Sequence, residues 1–324
     1  MHQAEKMSEQ QPGQAEFLAH VHEGLAAPQK WLSPMYFYDA AGSRLFDEIC
    51  ELDEYYPTRT ELEIIETQLD GIVAAIGPQA LIIEPGSGSS LKTRTLLAAL
   101  QAPSAYVPVE ISLEHLQAAV EALRDAFPRI PVLPVCADFT APFEIPAPAL
   151  PPRKRVIFFP GSTIGNFAPE QAVALLASLR STVAPGDGLL IGVDLQKESS
   201  VLERAYNDRA GVTAAFNLNL LTRINRELGA DFDLARFSHR ALWNEQESRI
   251  EMHLLSDCEQ RVRVSGRSFS FARGEHILSE CSYKFSLPGF AQLAADAGWQ
   301  RREVWTDPRS YFSLQYFDSL ASSG

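Results

Sequence analysis

Hydrophobic positions along this chain recur with two periods, and the change from one to the other divides it into regions. Short apolar runs bounded by turn residues occur at Ala80–Glu84, Ala105–Glu110, Val132–Val135, Arg155–Phe159 and Gly188–Asp194, and each predicts a strand. Between most of them apolar residues fall three and four apart, over Lys92–Leu100, Leu113–Phe127 and Pro169–Val183, which predicts helices. Strand and helix alternating at this spacing build βαβ units and a parallel sheet. Gly289–Ala297 predicts one more helix. Gln300–Thr306 and Tyr311–Phe317, separated by Asp307-Pro308-Arg309-Ser310, predict a closing antiparallel hairpin.

Two blocks break this alternation. Before it, helical periodicity covers Ala15–Leu25, Ser43–Glu51 and Thr60–Ile76, with an aromatic-rich segment at Trp31–Tyr38 and an interruption at Tyr55-Tyr56-Pro57. Residues 1–13 are polar and expected to be loose. After Asp194, residues 196–230 are helical in pattern, and 243–285 hold strand-like runs at Arg249–Leu255, Arg261–Val264 and His276–Phe285. The proline-rich stretch Ile145–Arg155 predicts a surface loop between the third and fourth strands. The expected division is one domain from 61–194 and 287–324, and a second from 1–60 and 195–286.

Composition narrows the classes of function. With 324 residues, 46% of them hydrophobic, the chain can bury one large core or two interlocked ones. A net charge of -13 argues against non-specific binding to nucleic acid or to anionic membranes. Cys50, Cys136, Cys258 and Cys281 are scattered without a CxxC pair, so neither a disulfide framework nor a metal site is expected. The first residues lack an apolar signal core, and no run of about 18 apolar residues occurs. A cytoplasmic monomer is expected.

The chemistry gathers at the carboxyl ends of the predicted strands. Leu81-Ile-Ile-Glu-Pro-Gly-Ser-Gly-Ser-Ser-Leu-Lys92 is a strand, an acid, a Gly/Ser loop and a helix start. Gly86, Ser87 and Gly88 let a ligand approach the backbone, while Glu84 favours a cation or a ribose hydroxyl over a phosphate. A cationic nucleoside such as S-adenosylmethionine (SAM) fits that loop. Glu110, closing Tyr106-Val-Pro-Val-Glu, is placed to take both ribose hydroxyls; alone, it reads equally as a charge opening the next helix. Asp138-Phe139 suits an adenine, with carboxylate to the exocyclic amine and ring against the base; alone, it reads as a turn. Phe159-Pro-Gly-Ser-Thr-Ile-Gly-Asn166 follows a strongly apolar strand and forms a fourth loop on the same edge. Five parallel strands, a helix and a closing hairpin are the parts of a class I, Rossmann-like SAM-dependent methyltransferase sheet, an α/β fold, here with a second α+β domain.

These blocks resemble the ergothioneine-pathway L-histidine Nα-methyltransferases. The matching stretches include Tyr36-Phe-Tyr-Asp-Ala-Ala-Gly-Ser-Arg-Leu-Phe-Asp-Glu, Glu54-Tyr-Tyr-Pro-Thr-Arg-Thr-Glu, Gly161-Ser-Thr-Ile-Gly-Asn, Tyr206-Asn-Asp-Arg-Ala-Gly-Val-Thr-Ala-Ala-Phe-Asn and Glu280-Cys-Ser-Tyr-Lys-Phe. The resemblance implies that Gly86, Lys92, Asp138 and Phe139 contact SAM. It implies that Tyr38, Tyr55, Gly161, Asn166 and Tyr206 hold the amine and carboxylate of the amino acid, and that Met252, Glu280 and Ser282 surround its imidazole. Three successive methylations of L-histidine through its mono- and dimethyl intermediates follow from that resemblance, with Tyr38 and Tyr55 positioning the amine lone pair. The alternatives are the same chemistry on another amino acid such as tryptophan, or a SAM-binding module without catalysis. Glu110, Pro85 and Pro160 depart from the family pattern, and each proline removes a backbone donor.

Overall fold

A computed structural model describes residues 13–87 and 91–321. In chain order its strands are β1 (Lys30–Trp31), β2 (Ala80–Pro85), β3 (Ala105–Glu110), β4 (Val135–Cys136), β5 (Lys154–Phe159), β6 (Gly188–Asp194), β7 (Phe237–Asn244), β8 (Arg249–Ser256), β9 (Gln260–Val264), β10 (Arg267–Phe271), β11 (His276–Tyr283), β12 (Trp299–Thr306) and β13 (Phe312–Ser319). Its helices are α1 (Gln14–Ala26), α2 (Ala40–Glu51), α3 (Tyr56–Thr67), α4 (Leu69–Ile76), α5 (Leu91–Ala99), α6 (Leu113–Ala126), α7 (Pro169–Ser181), α8 (Ser199–Tyr206), α9 (Val212–Leu228) and α10 (Leu287–Asp296). The chain divides into two compact units, one holding Arg59–Leu195 and Phe285–Gly324, the other Pro12–Thr58 and Gln196–Lys284.

The first unit is built on a seven-stranded sheet in the order β12-β13-β6-β5-β2-β3-β4. Strands β2 to β6 run parallel, and β13 returns antiparallel between β6 and β12, as the expected hairpin requires. Successive side chains of a strand face opposite ways. Ile82, Val156, Phe158 and Leu190 therefore pack under α3 to α6, while Leu81, Ile83, Ile157 and Phe159 pack under α7 and α10. A sheet covered on both faces needs the near-continuous apolar runs from which its strands were read.

Two expectations change in detail. The strand expected at Val132–Val135 shrinks to Val135–Cys136, with an isolated bridge between Tyr106 and Val132. Pro131 and Pro134 bracket that segment and give the ladder no N–H. The helix expected over Thr60–Ile76 is two helices, broken at Gln68. The first begins at Tyr56, with Pro57 in its opening turn, where a missing N–H costs nothing.

In the second unit the sheet order is β1-β11-β8-β7, beside a two-stranded β9–β10 hairpin. Strand β7 escapes the hydrophobic pattern because polar His239 and Arg240 sit within it, and β10 because its exposed positions are serine and arginine. Helix α9 contributes Phe216, Leu220, Leu221 and Ile224 to this unit's buried core, and Ile250 and Leu254 of β8 are fully buried. Among the described residues no disulfide joins the four cysteines, and no helix is long and apolar enough to cross a membrane.

Candidate functional site

Because β2 lies between β3 and β5, the loops leaving β2 and β5 open at the switch point of the first unit's sheet. Gly86 starts the first loop at φ 69°, and a Cβ there would stand 3.4 Å from the Phe139 ring. Glycine is what lets this backbone turn so close to the aromatic. The Gly86 and Ser87 N–H groups both donate to Val109 O, at 2.8 and 3.3 Å, holding the loop along β3. Pro85 follows from the same geometry. Pairing of β2 with β5 ends at Ile83 and Ile157, and an amide at position 85 would point to that vacated side, so proline removes no ladder bond. Gly88 lies outside the described residues.

The charge expected beside this loop is turned inward. Glu84 is only 1% exposed, and its carboxylate accepts from Thr93 Oγ1 at 2.7 Å and from Tyr106 OH at 2.7 Å. It ties the first turn of α5 and strand β3 to β2. Burial and then the Glu84 charge push the Tyr106 hydroxyl well above its ordinary pKa. Glu110 stands at the end of β3, where its Oε1 accepts the Ile111 and Ser112 amides at 2.9 and 3.2 Å. Asp138 Oδ1 accepts from the Thr140 amide and hydroxyl at 2.8 and 2.7 Å, an Asx turn that fixes the carboxylate after β4. Next to it, Phe139 meets Phe159 edge to face, with centroids 5.7 Å apart.

The loop after β5 joins the loop after β2 through a residue that sequence reading passed over. Glu61 on α3 is fully buried, and its Oε2 accepts from Lys92 Nζ at 2.6 Å and from the Gly161 amide at 2.8 Å. The N–H of Gly161, a residue expected to hold the amino acid, is therefore already committed. Glu61 Oε1 has no hydrogen-bond partner among the described residues, and it fills the space a Cβ on Gly192 would need. Its place at the end of the Glu54–Glu61 block was the available signal. Asn166 closes the short 3₁₀ turn Thr163–Asn166 of the same loop and is half-buried. A glycine cradle against an aromatic ring, carboxylates at the ends of β3 and β4 and a buried ammonium together fit an adenosyl amino acid.

In the second unit one irregularity sets the facing of three expected ligands. Ile277 pairs with Leu254, but Glu280 pairs with Met252 and Ser282 with Ile250, because β11 carries a bulge between Leu278 and Glu280. Strict alternation from Ile277 would put Ser279 and Cys281 on that face. The bulge absorbs one residue, so Glu280 and Ser282 face the same side as Met252. Ala241 of β7 sits opposite Met252 on that side. Glu280 keeps part of its surface open, yet burial pushes its carboxyl up to about 7, opposed by the Lys284 ammonium.

Aromatic residues gather in the same unit. Tyr38, 44% exposed, meets Phe46 and Phe216 at 5.7 and 5.9 Å between centroids. Phe46 meets Tyr55 at 6.3 Å, and Tyr55 meets Tyr206 at 6.2 Å. Burial first, then the neighbouring Tyr206, Cys50, Tyr38 and Glu280, drive the Tyr55 pKa well above its ordinary value. Tyr38, Tyr55, Tyr206 and Glu280 thus form one group. Tyr206 OH donates to Ser282 Oγ at 2.9 Å, while its carbonyl oxygen lies 2.8 Å from His239 Nε2. His239 Nδ1 lies 2.9 Å from Asn217 Nδ2, and burial lowers the pKa of the ring; a neutral His239 protonated on Nε2 satisfies both contacts. Sequence reading missed Phe46, Phe216 and Lys284. The i, i+2, i+4 spacing of Glu280, Ser282 and Lys284 was the signal for the last.

A family model described as "Histidine-specific methyltransferase, SAM-dependent" matches residues 17–319. The chain is 45% identical over 300 residues to a histidine N-alpha-methyltransferase of Mycolicibacterium smegmatis, covering 91% of this chain and 92% of that protein. It is 28% identical over 260 residues to ergothioneine biosynthesis protein 1 of Schizosaccharomyces pombe, covering 77% of this chain and 34% of the relative. It is also 27% identical over 304 residues to a 4-dimethylallyltryptophan N-methyltransferase of Aspergillus fumigatus, covering 89% of each.

Proposed function

Since this chain belongs to the SAM-dependent, histidine-specific methyltransferase family, we propose that it methylates the α-amine of L-histidine three times, giving Nα,Nα,Nα-trimethylhistidine (hercynine), the first step of ergothioneine biosynthesis. The first unit serves the donor: Gly86, Ser87, Lys92, Glu110, Asp138 and Phe139 hold SAM, and Glu84 and Glu61 hold those residues in place. Bound SAM supplies a methyl group made electrophilic by its sulfonium. The second unit reads the acceptor: Met252 packs on the imidazole while Glu280 and Ser282 meet its two nitrogens. The observation that carries this reading is the bulge-set face of Met252, Glu280 and Ser282. Gly161 and Asn166 belong to the loop after β5, and with its amide committed to Glu61, Gly161 contributes shape and a carbonyl rather than an N–H.

What the chain must do is align a neutral amine. A peptide α-amino group titrates at about 8, a free amino acid's somewhat higher because its own carboxylate lies beside it. Each pH unit costs about 1.4 kcal/mol, so losing the proton at neutral pH costs a few kcal/mol at most, a small part of the barrier. A dedicated base is unnecessary. The raised pKa of Tyr55 keeps it a neutral hydroxyl, which can accept an amine N–H and orient the lone pair but cannot act as a phenolate. The proton leaves through water, and Tyr38 and Tyr55 favour the growing ammonium through their ring faces. The protein works as a cytoplasmic monomer and handles histidine and its mono- and dimethyl intermediates in turn.

The test is one assay: purified protein, SAM and each amino acid separately, read by mass for gains of one to three methyl groups. Histidine alone should gain three. Tryptophan as the better substrate would overturn the reading, because an indole would leave the Glu280 carboxylate or the Ser282 hydroxyl without a partner. SAM binding with no methylated product would make the protein a binding module.

A further inference from the structure

Lys284 is a buried charge with no part in the reading so far. It stands one residue past β11 and is 3% exposed. Its Nζ donates to Ser282 Oγ at 2.8 Å and to Tyr206 OH at 3.0 Å, and lies 5.0 Å from the centroid of the Tyr206 ring. Tyr206 OH donates in turn to Ser282 Oγ at 2.9 Å, closing a triangle.

Proton counting gives the triangle a direction. An ammonium only donates, and a hydroxyl has one proton and two lone pairs. Tyr206 OH receives from Lys284 and gives its own proton to Ser282, as the better acid of the two hydroxyls should. Ser282 Oγ then receives two donors, one per lone pair, and has only its proton left to offer. Glu280, two residues earlier on the same face, is acceptor-only when ionised. One donor and one acceptor side by side match a bare ring nitrogen and a ring N–H. A neutral imidazole has both. An imidazolium would set an N–H against the Ser282 proton, and an indole offers no bare nitrogen.

We propose that Lys284 is a positioning residue that fixes the proton direction of Ser282, so that the acceptor is selected as a neutral imidazole with its bare nitrogen on Ser282 and its N–H on Glu280. The proposal rests on the reading above, in which Glu280 and Ser282 meet the ring.

A double-mutant cycle tests it, because a residue that acts through Ser282 should lose its effect when Ser282 is gone. L-histidine affinity is measured by calorimetry in the presence of S-adenosylhomocysteine, with KM and kcat alongside, for wild type, Lys284→Met, Ser282→Ala and the double variant. Lys284→Met should weaken histidine binding about 10-fold, the size of a lost charge-assisted hydrogen bond. It should raise KM while leaving kcat at saturating histidine within about 3-fold, the tolerance expected when ground-state and transition-state binding change together. In the Ser282→Ala background the same change should cost under about 2-fold, within the additivity error of such cycles. Equal losses in both backgrounds would overturn the proposal, as would no loss in wild type. Unchanged S-adenosylhomocysteine affinity and a cooperative melt exclude misfolding as the cause, and Lys284→Arg, which keeps charge and donors, should recover part of the affinity. A wild-type protein that binds no histidine would sink the functional reading and this step with it, whereas histidine bound by wild type with equal losses in both backgrounds would sink this step alone.

Discussion

Glu280 carries opposite demands on stability and on binding. Its carboxyl sits at about 7 against an ordinary 4.5, so the stability tied to it is full below the ordinary value and lost as pH rises through about 7. Glu280→Gln should therefore melt higher than wild type at pH 8, with the gap closing as pH falls toward 5; a constant gap would refute the raised pKa. The same variant should bind histidine about 10- to 100-fold more weakly, since a charge-assisted hydrogen bond contributes about 1.5–3 kcal/mol. Tyr38 makes a second case at this scale. It is exposed enough that Tyr38→Phe should change stability by no more than about 0.5 kcal/mol. All three methylation rates should nonetheless fall, by about 10- to 100-fold if the amine lone pair is misplaced. Three unchanged rates in single-turnover assays would remove Tyr38 from the positioning role.

At the scale of elements, α3 and β6 hold the loop after β5 between them. A Cβ on Gly192 of β6 would lie 2.0 Å from Glu61 Oε1, and Glu61 holds both Lys92 and the Gly161 amide. Gly192→Ala should displace that carboxylate, cost about 1–3 kcal/mol by overpacking, and weaken SAM binding measured by calorimetry. SAM affinity equal to wild type would mean that Glu61 does not position Lys92. Element patterns were readable because they are local. The runs of β2, β3, β5 and β6 have the continuous apolar character of strands buried on both faces, and the loop after β2 needs its glycine wherever the sheet places it. The bulge in β11 was not readable. Nothing in Leu278-Ser279-Glu280 marks which residue is left out of the ladder, and that is set by pairing with β8.

For the whole molecule, the residues proposed for the donor and those proposed for the acceptor fall largely into separate units, each with its own sheet. Without amino acid present, Glu280→Gln and Ser282→Ala should leave SAM affinity unchanged, whereas Gly86→Val should abolish it, since a branched side chain at φ 69° is strained and faces Phe139. A loss of SAM binding in the first two variants would contradict that division of labour. The sequence alone determined the α/β sheet and the loops at its carboxyl edge, with the residue types proposed for a cationic nucleoside, because period, turn chemistry and charge are written within a few neighbouring residues; the set proposed for the ring came from the family resemblance. Tertiary structure decided where the polar atoms point. It turned Glu84 into the fold, joined Glu61 to Gly161 across 100 residues of chain, and brought Tyr206 to Ser282 across 76. A buried polar group takes whichever partner packing brings within about 3 Å, and at such separations only the folded chain selects it.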